Sequence, residues 1–208
     1  MKSLFVIGDV HGCYHTVKSL IKCYWKKDSE VLIQIGDLLN KGNHPLATLK
    51  YFKRLQQKHP DKVIVLKGNN EYLMLDQYRS NPLPYQKRFE ENGLRFEKTL
   101  DWLERRPVTY QTKDVLISHA GISLRTKDPY DLGEIESLLF TRSPLRNIGK
   151  TQIVGHVIQR AVNYKPESNA WYIDTGAGNG DKLSGIKMTK NGTVKAIFSI
   201  RISHRDFE

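Results

Sequence analysis

Apolar residues run together from Ser3 to Ile7 and stop at Gly8-Asp9, as a buried strand does. Val17, Leu20, Ile21 and Tyr24 then recur at steps of three and four, which predicts a helix with one apolar face, ended by Trp25-Lys26-Lys27-Asp28. Val31 to Ile35 is a second run stopped by Gly-Asp, and Pro45 suits a helix start ahead of Leu46, Leu49, Phe52 and Leu55. Val63 to Leu66 is a third run, closed by Gly68. Strand, helix, strand, helix, strand, with polar residues after each strand, predicts α/β layering with a site at the carboxyl edge of a parallel sheet.

From Asn70 to Arg106 the apolar residues are scattered among many charges, and the segment reads as mostly helical, placed to cap the site. Val115 to Ser118 is a fourth strand ending in His119-Ala120-Gly121, and Gln152 to Val154 a fifth ending in Gly155-His156. Trp171 to Ile173, Ile186 to Met188 and Val194 to Ile200 are strand-like, and Asn191-Gly192 signals a hairpin between the last two. Glu134 to Thr141 reads as a short helix. With no repeat, linker or low-complexity segment, residues 1–208 read as a single domain.

Composition narrows the class. Hydrophobic residues make up 39% and charged residues 26%, which excludes disorder, collagen-like repeats and disulfide frameworks and leaves a soluble globular protein. No window approaches eighteen uncharged apolar residues, and the apolar stretch from Met1 meets Gly8 too early for a signal peptide, so a cytoplasmic protein with no membrane partner is expected. Cys13 and Cys23 share no zinc-type spacing and read as free thiols. Lys plus Arg number 33 against 22 Asp plus Glu, a formal charge of +11 that attracts polyanions or phosphorylated ligands, although the lysines are spread along the chain rather than gathered in one block.

Six positions carry a metal-capable side chain just after a predicted strand: Asp9, His11, Asp37, Asn69, His119 and His156. Strand carboxyl ends of one sheet converge, so these oxygen and imidazole donors meet without being neighbours in sequence. Such a mixed set suits Mn, Fe or Zn, with Asp37 able to bridge two ions. Asp and Asn after strands also serve as turn formers, which explains any one of the positions but not all of them together.

In order and spacing, Gly8-Asp9-Val10-His11-Gly12, Gly36-Asp37-Leu38-Leu39-Asn40-Lys41-Gly42, Gly68-Asn69-Asn70-Glu71, His119-Ala120-Gly121 and Gly155-His156 resemble the bacterial branch of the phosphoprotein-phosphatase group of calcineurin-like metallophosphoesterases. The resemblance runs from Phe5 to about Leu183 and takes in Ile173-Asp174-Thr175-Gly176-Ala177. Trp102-Leu103-Glu104-Arg105-Arg106-Pro107, leading into His119-Ala120-Gly121-Ile122, is similar to symmetrical diadenosine-tetraphosphate hydrolases and their protein-phosphatase relatives. The resemblance implies an α/β fold, a β-sandwich of two mixed sheets flanked by helices. It implies two divalent ions, manganese foremost, with iron, zinc, nickel or magnesium as alternatives. Asp9 and His11 would hold the first ion, Asp37 would bridge, and Asn69, His119 and His156 would hold the second, so that a hydroxide attacks phosphorus in line with the leaving alkoxide. Arg142, which the short helix would deliver, matches a phosphate-binding arginine, and Lys41 and Lys67 stand where the family usually has arginines, keeping the charge but not the two-pronged contact. Asn69, Lys41, Lys67 and Arg142 are thus the expected substrate contacts.

Two departures bear on catalysis. The family's Asn-His-Glu is here Asn69-Asn70-Glu71, and its Asp-Arg-Gly is Asn40-Lys41-Gly42, so both halves of the proton-donating dyad are asparagine. An amide has no titratable proton near neutral pH, and losing a general acid costs on the order of 100 to 10,000-fold in rate. Asn70 fits an engineered inactive form, a natural enzyme taking its proton from water, His44 or His15, or a binding protein that keeps the metals. The expected activity is hydrolysis of phosphomonoesters, in particular protein phosphoserine and phosphothreonine. A diadenosine-tetraphosphate-type nucleotide hydrolase and a metal-binding pseudophosphatase are the alternatives. A nucleic-acid module, suggested by charge alone, ranks last because no reader motif is present.

Overall fold

Long-range pairing turns these segments into two sheets. In the computed structural model, which describes residues 3–208, the chain runs β1 (Ser3–Ile7), α1 (Tyr14–Tyr24), β2 (Glu30–Gln34), α2 (Pro45–Lys58), β3 (Val63–Val65), α3 (Asn69–Ser80), α4 (Leu83–Glu91) and α5 (Phe96–Glu104). It continues through β4 (Thr109–Gln111), β5 (Val115–Ser118), β6 (Thr151–Val154), β7 (Asn163–Lys165), β8 (Ala170–Tyr172), β9 (Lys182–Met188) and β10 (Val194–Arg201). Met1 and Lys2, which open the N-terminal stretch read above, lie outside the described residues.

One sheet has the order β10-β9-β1-β2-β3 and the other β4-β5-β6-β8-β7. β1, β2 and β3 are parallel, as are β5, β6 and β8, while β9, β10, β4 and β7 add antiparallel pairs. Both sheets are therefore mixed, and the parallel sheet expected from the first three strands is one side of a larger one, with β3 at its edge.

Alternation along the strands explains why their runs are continuously apolar. Leu4, Val6, Ile33 and Ile35 pack against Val115, Ile117 and Ile153 of the second sheet. Phe5, Ile7, Leu32, Val63 and Val65 point the other way and join Leu20, Leu49 and Phe52 of the helices. A strand covered on both faces has no polar face to display. At the end of β9, Thr189 N–H donates to Thr193 O at 2.9 Å and Gly192 takes φ 91, which makes the expected Asn191-Gly192 hairpin turn.

Three local readings need correction. β4 and β7 were not expected: each is three residues long, mostly polar, and lies at the rim of its sheet. The helix expected over Glu134 to Thr141 is a chain of turns instead. Leu138 N–H donates to Pro129 O rather than to the carbonyl four residues back, and Glu136 accepts from Ser123, Thr141 and Ser143, so tertiary partners take the groups a helix would use. Among the described residues no helix is long and apolar enough to cross a membrane.

Ile33 is fully buried between the sheets. Ile33→Ala is expected to lower the unfolding free energy by about 2–5 kcal/mol, read from the midpoint of urea denaturation.

Candidate metal centre

The loops that follow the strands are tied to one another by hydrogen bonds. Val10 and His11 N–H groups donate to Asp37 O at 3.1 and 2.8 Å within the first sheet's end, Gly155 N–H donates to His119 O at 2.8 Å within the second's, and His156 N–H donates to Asp9 Oδ2 at 3.2 Å between the two. The close approach leaves no room for a side chain at two points: a Cβ on Gly155 would overlap Asp9 Oδ1, and one on Gly68 would overlap Asp37 Oδ1. His11, Asp37 and His156 themselves hold φ of 45, 56 and 62°, the left-handed region that few side chains other than Asn, Asp and His visit.

A buried glutamate sets the second loop. Glu71, in the first turn of α3, accepts from Asp37 N–H at 2.7 Å, Leu38 N–H at 2.8 Å, Leu39 N–H at 3.2 Å and Gly68 N–H at 2.9 Å. Burial, with Asp37 nearby, pushes its carboxyl up to about 7, and the bonds from the backbone amides work against that rise.

Around this frame all six expected donors gather. Each histidine places one ring nitrogen 3.2 Å from a backbone carbonyl: His11 Nδ1 on Leu39 O, His119 Nδ1 on Ile35 O, and His156 Nε2 on Phe140 O. That nitrogen carries the proton, which leaves the other as a lone pair directed inward. His119 Nε2 then lies 2.8 Å from Asn69 Oδ1, 3.2 Å from His156 Nδ1 and 3.6 Å from Asp37 Oδ1. His11 Nε2 lies 3.5 Å from Asp37 Oδ2 and 4.0 Å from Asp9 Oδ2. Asp37 thus turns one oxygen to each half of the cluster, and the two halves, Asp9-His11-Asp37 and Asp37-His119-His156, each bring three ligand atoms within 4.8 Å of one another.

The electrostatics ask for cations. Burial, then Asp174 and Asp37, raise the Asp9 carboxyl well above its ordinary range. Burial would raise Asp37 too, but His119 and His11 outweigh it and hold that carboxyl low. Burial, His119 and the Arg142 guanidinium depress His156 to about 3, so its imidazole is neutral and free to ligate. Inward lone pairs and crowded carboxylates with too few protons between them are the donor set of a divalent-ion site, and the residues fit the two ions expected.

The remaining expected residues divide. Asn70 N–H donates to Asp37 Oδ1 at 3.0 Å and its Nδ2 to Asp37 Oδ2 at 2.6 Å, while Asn40 Nδ2 donates to Asn70 Oδ1 at 3.0 Å, so the two asparagines form a hydrogen-bonded dyad at the cluster. Arg142 is exposed, with Nη1 3.4 Å from His156 O, and the Lys41 stem passes beside the His11 ring over Gly178. Lys67 behaves differently: its ammonium donates to Glu104 O at 2.8 Å and is spent on the end of α5. His15 and His44 are directed to the C-terminal turn, their rings 5.0 Å apart, with His44 Nε2 2.7 Å from Arg205 O. Beside them Asp206 accepts from His15 N–H, Thr16 N–H and Thr16 Oγ1, and so caps α1. Cys13 is buried and Cys23 exposed, both free thiols.

Two further residues at the cluster carry no role in the sequence reading. Asp174, 3% exposed, follows β8 and faces Asp9 closely enough to raise its carboxyl. It obeys the same rule of a carboxylate after a strand that singled out Asp9 and Asp37. Glu71 had a weaker signal, a glutamate three residues after the glycine that opens a helix.

The family model described as calcineurin-like phosphoesterase matches residues 2–179. A symmetrical bis(5'-nucleosyl)-tetraphosphatase from Shewanella frigidimarina is 28% identical over 124 residues, 57% of this chain, and the match spans 44% of that protein's own length. Serine/threonine-protein phosphatase 2 of Salmonella typhimurium is 27% identical over 216 residues, covering 90% of this chain and 93% of that protein. Among solved structures, a protein serine/threonine phosphatase from Saccharomyces cerevisiae superposes with TM-score 0.72 at 14% identity, over 98% of this chain and 81% of that one. A cold-active protein-tyrosine phosphatase from a Shewanella species gives TM-score 0.66 at 17% identity over the same shares, and these likenesses concern the fold.

Loading with manganese at about 100 times its dissociation constant is expected to stabilise the chain by ~2.7 kcal/mol, a rise in melting temperature of roughly 5–10 °C. Asp37→Asn should abolish most of that rise and lower the bound stoichiometry seen by metal analysis. Glu71→Gln leaves amide hydrogens facing amide hydrogens and is expected to cost about 2–4 kcal/mol in chemical denaturation without added metal. A loss below the scatter of exposed-site variants would mean that the four-amide contact does not hold the loop.

Proposed function

Because the chain belongs to the calcineurin-like phosphoesterase family, we propose that it is a dinuclear-metal phosphoesterase that hydrolyses phosphomonoesters, with phosphoserine and phosphothreonine in proteins as its substrate class. The observation that carries the reading is Asp37, whose two carboxylate oxygens each face one half of the cluster. Asp9 and His11 on one side, and Asn69, His119 and His156 on the other, would complete two sites sharing that bridge. Bound there, two divalent ions supply Lewis acidity toward the phosphoryl oxygens and make water acidic enough to attack at neutral pH. The mixed oxygen and imidazole donors favour manganese, with iron, zinc, nickel and magnesium as alternatives.

The chain's own side chains do the rest. Arg142 and Lys41 bring fixed positive charge beside the cluster, where the equatorial oxygens of the phosphoryl group gain charge in the transition state. Lys67 would join them only by leaving the Glu104 carbonyl. Asn70, held by Asn40 and Asp37, can donate a hydrogen bond to phosphate but no proton to the leaving oxygen. The leaving group therefore departs as an anion or takes its proton from solvent, since His15 and His44 are engaged with the C-terminal turn.

Coverage favours the protein-phosphatase reading over the nucleotide one. The likeness to the Salmonella phosphatase extends over nearly the whole of both chains, whereas the tetraphosphatase matches span about half of those proteins or less. A diadenosine-tetraphosphate-type hydrolase is the second reading, supported by the first of those matches.

Asn70→His, assayed with manganese, is expected to raise turnover of an alkyl phosphate such as phosphoserine peptide by roughly 100-fold or more and that of p-nitrophenyl phosphate much less, because only the poor leaving group needs a proton. Equal gains on both substrates would assign Asn70 to positioning. No turnover of either substrate by the metal-loaded protein, with or without the substitution, would overturn the enzyme reading in favour of a phosphate-binding pseudophosphatase.

A further inference from the structure

The basic residues look dispersed along the sequence, yet helical periodicity gathers many of them. Lys50, Lys53 and Arg54 recur on one face of α2, and Lys98 lies on α5, with Arg95 just ahead of that helix and Arg105 just after it. The two helices line a cavity of about 540 Å³ in which seven of twelve lining residues are lysine or arginine and Asp101 is the one acid. None of these residues belongs to the metal cluster.

The helices are pinned together by neutral partners. Lys53 Nζ donates to Lys98 O at 3.2 Å and Thr99 Oγ1 at 3.1 Å, Lys50 Nζ donates to Asn92 O at 2.7 Å, and the Arg106 guanidinium donates to Gln56 Oε1. Among the described residues, none of the seven cations is in a salt bridge with a carboxylate. Burial, then Lys98 and Arg106, lower the Lys53 ammonium, and burial with Arg105 lowers Arg106, so the charges repel one another across the cavity. A concave wall that sets seven cations against the single carboxylate of Asp101 concentrates field where an anion would sit.

We propose that this cavity is a second anion site, distinct from the metal centre, which binds a chain of several phosphates. Its volume lies in the range of small-molecule pockets, and the density of ammonium and guanidinium groups matches a ligand that carries several charges within that volume. A single-stranded nucleic acid fits less well. Such strands need free aromatic faces for their bases, and the cavity's one aromatic residue, Trp102, has the Arg106 guanidinium stacked 4.4 Å from its ring centre. The phosphate chain could belong to inorganic oligophosphate or to a nucleoside triphosphate, which share the chemistry that the cavity reads.

Calorimetric titration of the full chain with tripolyphosphate tests the proposal, beside Asp9→Asn, in which the metal centre is disabled. One tripolyphosphate is expected to bind both proteins with the same affinity. Lys53→Gln/Lys98→Gln should weaken it by roughly tenfold or more, through loss of two charge-assisted contacts. Arg54→Gln/Arg95→Gln should weaken it as well, and since neither side chain is in a salt bridge, that variant remains informative if removing Lys53 loosens the helices. Equal binding of ATP and tripolyphosphate would identify the free oligophosphate as ligand, and tighter ATP the nucleotide; both support the site. Absence of binding to the unmodified chain, or binding abolished in Asp9→Asn and unmoved by both cavity variants, would overturn it. So would a short single-stranded DNA that binds more tightly than tripolyphosphate and is displaced by the cavity substitutions.

Discussion

The contact between the Glu71 carboxylate and four backbone amides holds the centre in register. It ties the loop after β2 to the first turn of α3, and both segments supply the cluster, Asp37 from one and Asn69 and Asn70 from the other. A buried carboxylate is costly unless its oxygens are satisfied, and here the partners are fixed backbone groups rather than mobile side chains. The position of Asp37 then depends on a contact that cannot slide. Its two oxygens face opposite halves of the cluster because the loop beneath them has a single resting place.

The second constraint is the meeting of two sheets at one end. Gly68 and Gly155 let carboxylates lie directly against backbone, and the three imidazoles are oriented from outside by carbonyls of Leu39, Ile35 and Phe140. Each carbonyl lies 16 to 84 residues along the chain from the histidine it orients, so the inward direction of each lone pair depends on the folded sandwich. Membership of the calcineurin-like phosphoesterase family fits this arrangement. At its edge lies the amide dyad of Asn40 and Asn70, held against Asp37.

How far the sequence could be read follows from where each interaction lies. Strands such as β1 and β2 stand out because both faces are covered, and the turn after β9 because Asn-Gly has few other uses. The six metal-capable residues were visible since a strand end is a local feature and the fold brings strand ends together. Asp174 follows the same rule, yet it sits behind a three-residue strand whose apolar run is short. Glu71 reads as an ordinary helix-start residue, because its bonds to Asp37, Leu38 and Leu39 exist only once the loop has folded over it. β4, β7 and the turns from Glu134 to Thr141 were hidden for the same reason: their hydrogen-bond partners are distant. The same holds for Lys67, drawn away by the Glu104 carbonyl, and for the basic cavity, whose lysines and arginines converge only when α2 and α5 lie side by side.

The left-handed backbone at His11, Asp37 and His156 sets function against durability. Left-handed geometry costs an L-residue roughly 1–2 kcal/mol at each position, less for Asp and His than for most, and glycine would remove that cost while deleting a ligand. The chain therefore carries a standing incentive to lose its own centre. Glycine at any of the three places would ease the backbone and empty one corner of the cluster, so folding stability and ligand count are traded against each other residue by residue.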